Sequence, residues 1–132
     1  MRIFLLSLLL AGSFAGAAEA KEACARNDDS QTMMTICADQ DYQAADARLN
    51  QTYQKLVKDS DTSTLALLKT AQRAWVSFRD AECAYAAAGS EGGSIYPMLV
   101  SMCLTDVTKE RIKQLEADNS CEEGAAGCNE AK

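Results

Sequence analysis

The sequence has 132 residues, with 19 acidic residues against 13 lysines and arginines, and no histidine. This length suits one domain with a modest core. The net charge of −6 excludes nucleic acid and anionic membrane surfaces as favoured partners and suits a basic partner, although a negative surface also serves solubility alone. Without histidine, the commonest general base and every histidine-dependent catalytic triad are absent.

Residues 1–20 have the layout of a secretory signal peptide. Arg2 precedes an apolar run from Ile3 to Leu10, which is followed by small residues. The run is too short to cross a bilayer. Cleavage after Ala17 and cleavage after Ala20 both fit the small residues at these positions. Ser13 stands where a lipoprotein would carry its acceptor cysteine. We therefore expect a periplasmic or secreted product with no membrane anchor after signal cleavage.

Helical spacing begins behind the capping residues 27–30. Apolar side chains recur every three or four positions to about residue 56, which predicts a first helix of roughly 25 residues. The polar break at residues 58–63 precedes a second helix from about Ser63 to Ala88. The first stripe consists of Ala38, Tyr42, Ala45, Leu49, Tyr53 and Leu56. The second consists of Leu65, Leu68, Ala71, Trp75, Phe78 and Glu82.

Residues 89–94 form a Gly-rich loop, after which Ser94 and Pro97 mark the start of a third helix. Its stripe consists of Leu99, Cys103, Val107, Arg111 and Leu115. Short connections between three amphipathic helices predict an all-α fold, a small antiparallel three-helix bundle stapled by disulfides. The helical domain is expected over residues 21–116, and a polar tail over residues 117–132.

All six cysteines follow the signal peptide, which in a short exported chain indicates a disulfide framework. A zinc site is disfavoured because there is no histidine and no C-x-x-C pair. The geometry of a helical hairpin predicts a Cys83–Cys103 bridge. A local Cys24–Cys37 bridge would pin the segment before the first helix, and Cys121–Cys128 would close the tail. We expect no metal and no cofactor.

One set of residues is more specific than this periodicity. The motifs are C-A at 37–38, A-D-x-x-L-N-x-x-Y at 45–53, Q-x-A-W-x-x-F-R-D-x-x-C at 72–83 and G-S at 93–94. From about Cys24 to Leu115 the chain resembles the LprI-like family of small exported bacterial proteins, named after a mycobacterial lysozyme inhibitor. The resemblance implies an extracytoplasmic helical domain and lysozyme inhibition. The chain departs from the family pattern in lacking the lipid-anchor cysteine and in carrying the Cys121–Cys128 tail.

Four polar residues beside the predicted stripes have two interpretations. Asp46 could pair with Arg79 or Arg111 at a helix crossing and hold the register of the bundle, with Asn50 one turn away. Alternatively, the same groups could belong to a recognition surface. We expect the structural role, and we likewise expect Trp75, Tyr42 and Tyr53 to lie in the core.

The Gly-rich loop is the best candidate for contact with a partner, although a flexible joint and helix cap is the simpler interpretation. A narrow loop can enter the cleft of a lysozyme, which holds two carboxylates. The residues concerned are Gly92, Gly93, Ser94, Ile95 and Tyr96. The sequence thus predicts a binding protein rather than an enzyme, an inhibitor of lysozyme or a related peptidoglycan-cleaving enzyme. The alternative is a general cell-envelope module that binds an endogenous wall enzyme or a secreted toxin.

Overall fold

The computed structural model describes residues 22–120. These residues form three α-helices, with no strand in this part of the chain, so the all-α prediction is confirmed. The helices are α1 (Gln31–Asp59), α2 (Thr62–Ala87) and α3 (Tyr96–Asn119), and a short 3-10 helix (Ala88–Ser90) follows α2. The signal-peptide segment 1–20 and the expected Cys121–Cys128 bridge lie outside the described residues.

Side-chain caps explain where two of the helices begin. The Ser30 hydroxyl accepts a hydrogen bond from the backbone N–H of Met33, and the Asp61 carboxylate accepts from the N–H groups of Ser63 and Thr64. Ser94 does not cap α3. That helix begins two residues later, behind Ile95, which makes no side-chain cap.

Both ends of α3 lie a few residues further along the chain than predicted. Pro97 occupies the first turn of α3, where its missing N–H leaves no helical bond unmade. The helix ends at Asn119, three residues inside the segment expected to be tail.

The three helices run up, down and up, so α1 and α3 are parallel. Gln31 contacts Met98 at one end of this pair, and Arg48 contacts Glu116 further along. These pairs are 67 and 68 positions apart in sequence, a nearly constant offset. The return helix α2 is antiparallel to both, and its Cys83 is bonded to Cys103 of α3.

The hydrophobic core lies between α1 and α3 in the half of the bundle remote from the Gly-rich loop. Leu49 and Leu56 of α1 pack with Ile112 and Leu115 of α3. From α2, Leu68 and Trp75 are partly buried against this cluster. The α1 stripe is confirmed, because Ala38, Ala45, Leu49 and Leu56 are buried while Tyr42 and Tyr53 are half-buried.

The predicted inward face of α2 is wrong in part. Ala71, Phe78 and Glu82 are exposed, whereas Arg79 and Cys83 are buried. The disulfide to α3 and the ion pair of Arg79 with Asp46 on α1 fix the rotation of this helix about its axis. Both contacts turn the side of α2 that carries Arg79 toward the bundle interior, which leaves the side that carries Phe78 exposed.

Two disulfides join the cysteines inside the described residues, and both match the predicted pairings. Cys24 bonds Cys37 with a Cα–Cα distance of 4.8 Å, and Cys83 bonds Cys103 with a Cα–Cα distance of 5.5 Å. Cys83 is fully buried. The Cys83–Cys103 bridge joins residues 20 positions apart in the sequence. In the chain-entropy model a bridge that closes a loop of this length stabilises the fold by about 3 kcal/mol.

Candidate partner-binding site

The Gly-rich loop is a compact series of turns at one end of the bundle. Glu91 N–H donates to the carbonyl of Ala88, Gly93 N–H to Ser90, and Tyr96 N–H to Gly93. Gly92 has a φ of +77°, which disfavours any residue with a side chain. A Cβ on Gly93 would lie 3.1 Å from the carbonyl oxygen of Ser90. Hydrogen-bonded turns and the backbone conformations of Gly92 and Gly93 therefore define the shape of the loop.

The loop exposes hydrogen-bond donors to solvent. Residues 91–95 are exposed, and Tyr96 is half-buried in the first turn of α3. Within the described residues, the backbone N–H groups of Gly92, Ser94 and Ile95 have no partner in the protein. These three donors lie within four consecutive residues, and backbone N–H groups of a turn can bind an anion such as a carboxylate.

Negative charge is concentrated at the same end of the molecule. We call residues 22–45 and 77–105 the loop end and residues 46–76 and 106–120 the core end. The loop end has only Arg26 and Arg79 as basic residues, whereas the core end has eight basic and seven acidic residues. The acidic residues of the loop end are Glu22, Asp28, Asp29, Asp39, Asp41, Asp80, Glu82 and Glu91. A basic partner would therefore be drawn to the loop end.

Arg79 is buried where the two ends meet. Its guanidinium donates to Asp46 at 3.3 Å and to Asp80 at 2.8 Å, and it lies over the rings of Tyr42 and Trp75. Burial raises the pKa of the Tyr42 hydroxyl above its ordinary value. Arg79 is therefore held by two carboxylates and two rings, and its side chain is only 10% exposed.

The other polar residues singled out in the sequence divide between two contacts. Asn50 donates to Asp46 at 3.1 Å, so it belongs with Arg79. Arg111 does not reach Asp46. It donates to Gln72 at 3.2 Å and lies over Trp75, and partial burial lowers the pKa of its guanidinium. Asp46, Asn50 and Arg79 thus lie where α1 meets α2, and Arg111 lies where α3 meets α2. Both arginines lie over the ring of Trp75.

The exposed side of α2 carries an apolar stripe that sequence reasoning did not identify. Leu67, Phe78 and Tyr85 are 73%, 55% and 80% exposed, and their spacing puts them on one side of the helix. Only alanines stand between them on this side, at positions 71, 74 and 81. The signal was present in the sequence as a second apolar periodicity, displaced around the helix from the one that packs inward.

The part of the chain that the structure describes has neither a membrane-spanning helix nor a cluster of metal ligands. None of its helices has both the length and the apolar character that a membrane crossing requires. Within residues 22–120, the Cys, Asp and Glu side chains form no group of three that could hold a metal ion.

The chain is similar in sequence to a known family and to two bacterial proteins. The family model described as lysozyme inhibitor LprI matches residues 22–115. Uncharacterized protein R02472 of Rhizobium meliloti (strain 1021) is 43% identical over 124 residues, covering 84% of this chain and 89% of that protein. Uncharacterized protein YecT of Escherichia coli (strain K12) is 38% identical over 77 residues, covering 48% of each chain. No solved structure matches the chain.

Proposed function

The chain belongs to the LprI family of lysozyme inhibitors, and we propose that it is an exported inhibitor of a basic lysozyme or a related peptidoglycan-cleaving enzyme. The observation that carries the proposal is the location of the negative charge. The loop end has eight acidic residues against two arginines, and the exposed turn lies at that end. Charge of this distribution speeds association with a basic enzyme and orients the loop end toward it.

The loop supplies the contact with the enzyme's cleft. A lysozyme cleft holds two carboxylates, one of which is ionised during catalysis. In our proposal, the unpartnered N–H groups of Gly92, Ser94 and Ile95 donate hydrogen bonds to a cleft carboxylate, with the Ser94 hydroxyl as a further donor. Ile95 and Tyr96 provide apolar contact beside it. The chain has no reaction of its own in this scheme, because it acts by occupying the cleft.

A cell-wall lysis assay tests the proposal. The oxidised protein, purified after export, should slow the clearing of a cell-wall suspension by a basic lysozyme at ~0.01 M salt. The slowing should weaken at ~0.15 M salt, because the Debye length falls from about 30 Å to about 8 Å. Unchanged clearing at low salt with a large excess of inhibitor would overturn the proposal.

A pair of charge variants locates the contact. Ser94→Glu places a carboxylate in the turn and should weaken inhibition about tenfold or more, because like charges would meet in the cleft. Gln54→Glu adds the same charge to an exposed position of the core end and should leave inhibition unchanged. Equal inhibition by the two variants would exclude the loop as the contact.

The exposed stripe on α2 favours a second candidate function, a cell-envelope module that binds an endogenous wall enzyme or a secreted toxin. Leu67, Phe78 and Tyr85 offer exposed apolar side chains that the cleft-binding scheme does not use. A photo-crosslinker at position 85, compared with one at position 54, tests this candidate in intact envelopes. Crosslinking to one defined protein from position 85 alone would favour it.

A further inference from the structure

A groove lined by methionine lies between α1 and α3 at the loop end. It has a volume of about 510 Å³. Met34 of α1 and Met98 and Met102 of α3 provide its apolar lining, together with Cys37 and Ala38. Met34 and Met102 are 39% and 50% exposed. Unbranched thioether side chains adapt their shape to what they contact, and exposed methionine surfaces are typical of sites that bind varied partners.

The rim of this groove is acidic and already holds one guanidinium. Asp28, Asp29 and Asp41 line the groove, together with Arg26. Arg26 reaches Asp41 through both of its terminal nitrogens, with Nη2–Oδ1 and Nη1–Oδ2 distances of 2.5 and 3.3 Å. The side chain of Arg26 is nevertheless largely exposed. The rim therefore has the geometry to bind a planar cation, and two of its three carboxylates are not paired with an arginine.

The segment that carries the rim is fixed in place. The Cys24–Cys37 disulfide ties it to α1. Gln40 accepts a hydrogen bond from the N–H of Cys24 and donates one to the carbonyl of Glu22. Asp28 accepts from the N–H of Ser30, and hydrogen bonding with Ser30 lowers the pKa of the Asp28 carboxyl group. The groove thus combines an acidic rim, held to α1 by a disulfide and hydrogen bonds, with an adaptable apolar floor.

We propose that this methionine groove is a docking site for a cationic segment of a partner protein, in which an arginine or lysine stands beside a bulky apolar side chain. The apolar side chain packs on the methionines while the cation binds Asp29 and Asp41, partly displacing Arg26. Charge complementarity decides the occupant, because an acidic segment would be repelled by the rim and an uncharged one would leave it unpaired. The site does not require the partner to be a lysozyme.

Methionine methyl NMR tests the groove directly. The oxidised protein carries ¹³C-methyl methionine and is titrated with the capped hexapeptide Gly-Arg-Leu-Leu-Arg-Gly. The methyl resonances of Met34, Met98 and Met102 should shift more than that of Met33, which is buried on α1 and contacts Ala25 of the rim segment through its sulfur. Absence of shifts at the three groove methionines overturns the proposal, as does an equal shift at Met33.

The peptide's chemistry is tested with two matched peptides. Replacing both arginines by neutral citrulline should weaken binding about fivefold or more, because the charge-assisted bonds to the rim are lost. Replacing both leucines by serine should weaken it comparably by removing the contact with the methionines. Equal binding of the citrulline peptide would overturn the charge assignment without depending on the folding of any variant.

Protein variants separate docking from a merely structural role of the rim. Asp29→Asn combined with Asp41→Asn should weaken peptide binding, and Asp106→Asn at the core end should not. Arg26→Gln should strengthen binding, because the competing internal cation is removed. Weaker binding by Arg26→Gln would contradict the displacement of Arg26. Lysozyme inhibition is measured separately, so its failure would leave the result for the peptide standing.

Discussion

The two ends of the bundle are stabilised by different means. At the core end, leucine and isoleucine side chains of the parallel helices α1 and α3 are buried against each other. At the loop end, both disulfides replace much of that packing, and several apolar side chains remain in contact with water. A small domain has little apolar surface to bury, and covalent crosslinks relieve part of that need. The loop end can therefore be acidic and partly apolar without giving up its structure.

A large effect is expected from removing the Cys83–Cys103 bridge. Cys83→Ala with Cys103→Ala should lower the free energy of unfolding by about 3 kcal/mol, because the unfolded chain regains the entropy of the closed loop. Denaturant unfolding measures the loss. Hydrogen exchange should rise chiefly at the loop end, in residues 84–102.

Leu115→Ala provides the contrast at the core end. Truncating a buried leucine to alanine lowers the free energy of unfolding by about 2–5 kcal/mol. Leu115 is such a residue, because it is only 2% exposed. In this variant exchange should rise in both ends together, because the core connects all three helices. If the cysteine variant also opened both ends equally, the distinction between them would be wrong.

A smaller effect is expected at the boundary between the ends. Arg79→Ala should lower the free energy of unfolding by about 2 kcal/mol, since it removes charge-assisted hydrogen bonds and the stacking on Tyr42 and Trp75. Asp46 and Asp80 retain access to water, so neither is left as a buried unpaired charge. Thermal and urea unfolding measure the change, with exposed Arg73→Ala as the control. A variant as stable as the parent would assign Arg79 to recognition instead.

The smallest effect is expected at the turn between α1 and α2, and it depends on pH. Hydrogen bonds from Ser63 and Thr64 hold the pKa of Asp61 well below its ordinary value. A carboxyl group whose pKa is lowered by folding stabilises the protein above its unfolded pKa of about 3.9 and loses that contribution as pH falls. The stability difference between parent and Asp61→Ala should thus be constant from neutral pH to about pH 5 and shrink below about pH 4. A difference that grew on acidification would contradict this.

Local chemistry made the helices predictable from the sequence. Ser30 and Asp61 are capping residues in polar breaks, and the α1 stripe repeats with helical spacing over its whole length. The rotation of α2 could not be found in the same way. Because Arg79 is charged and Phe78 is aromatic, hydropathy predicts Phe78 inside and Arg79 outside. The structure has Arg79 buried and Phe78 exposed. Their placement depends on Asp46, which lies 33 positions earlier.

The methionine groove was equally hidden, for a different reason. Met34 meets Met98 and Met102 only because α1 and α3 are parallel and held at a constant offset. No local pattern encodes that alignment. The loop was identified as a candidate because its glycines are visible in the sequence, whereas the concentration of charge around it required the helices to be placed first.

The parallel pairing of α1 and α3 has a consequence for how such proteins can diversify. Two parallel neighbouring helices cannot be joined by a tight turn, because the chain must first return to the end of the bundle where the first helix began. In this protein α2 is that return segment. α2 contributes Leu68 and Trp75 to the core cluster, while the side chains on its outward side are exposed. Substitutions on that side are nearly free of cost to the fold. Evolution can therefore alter what α2 presents to other molecules while the paired helices stay the same.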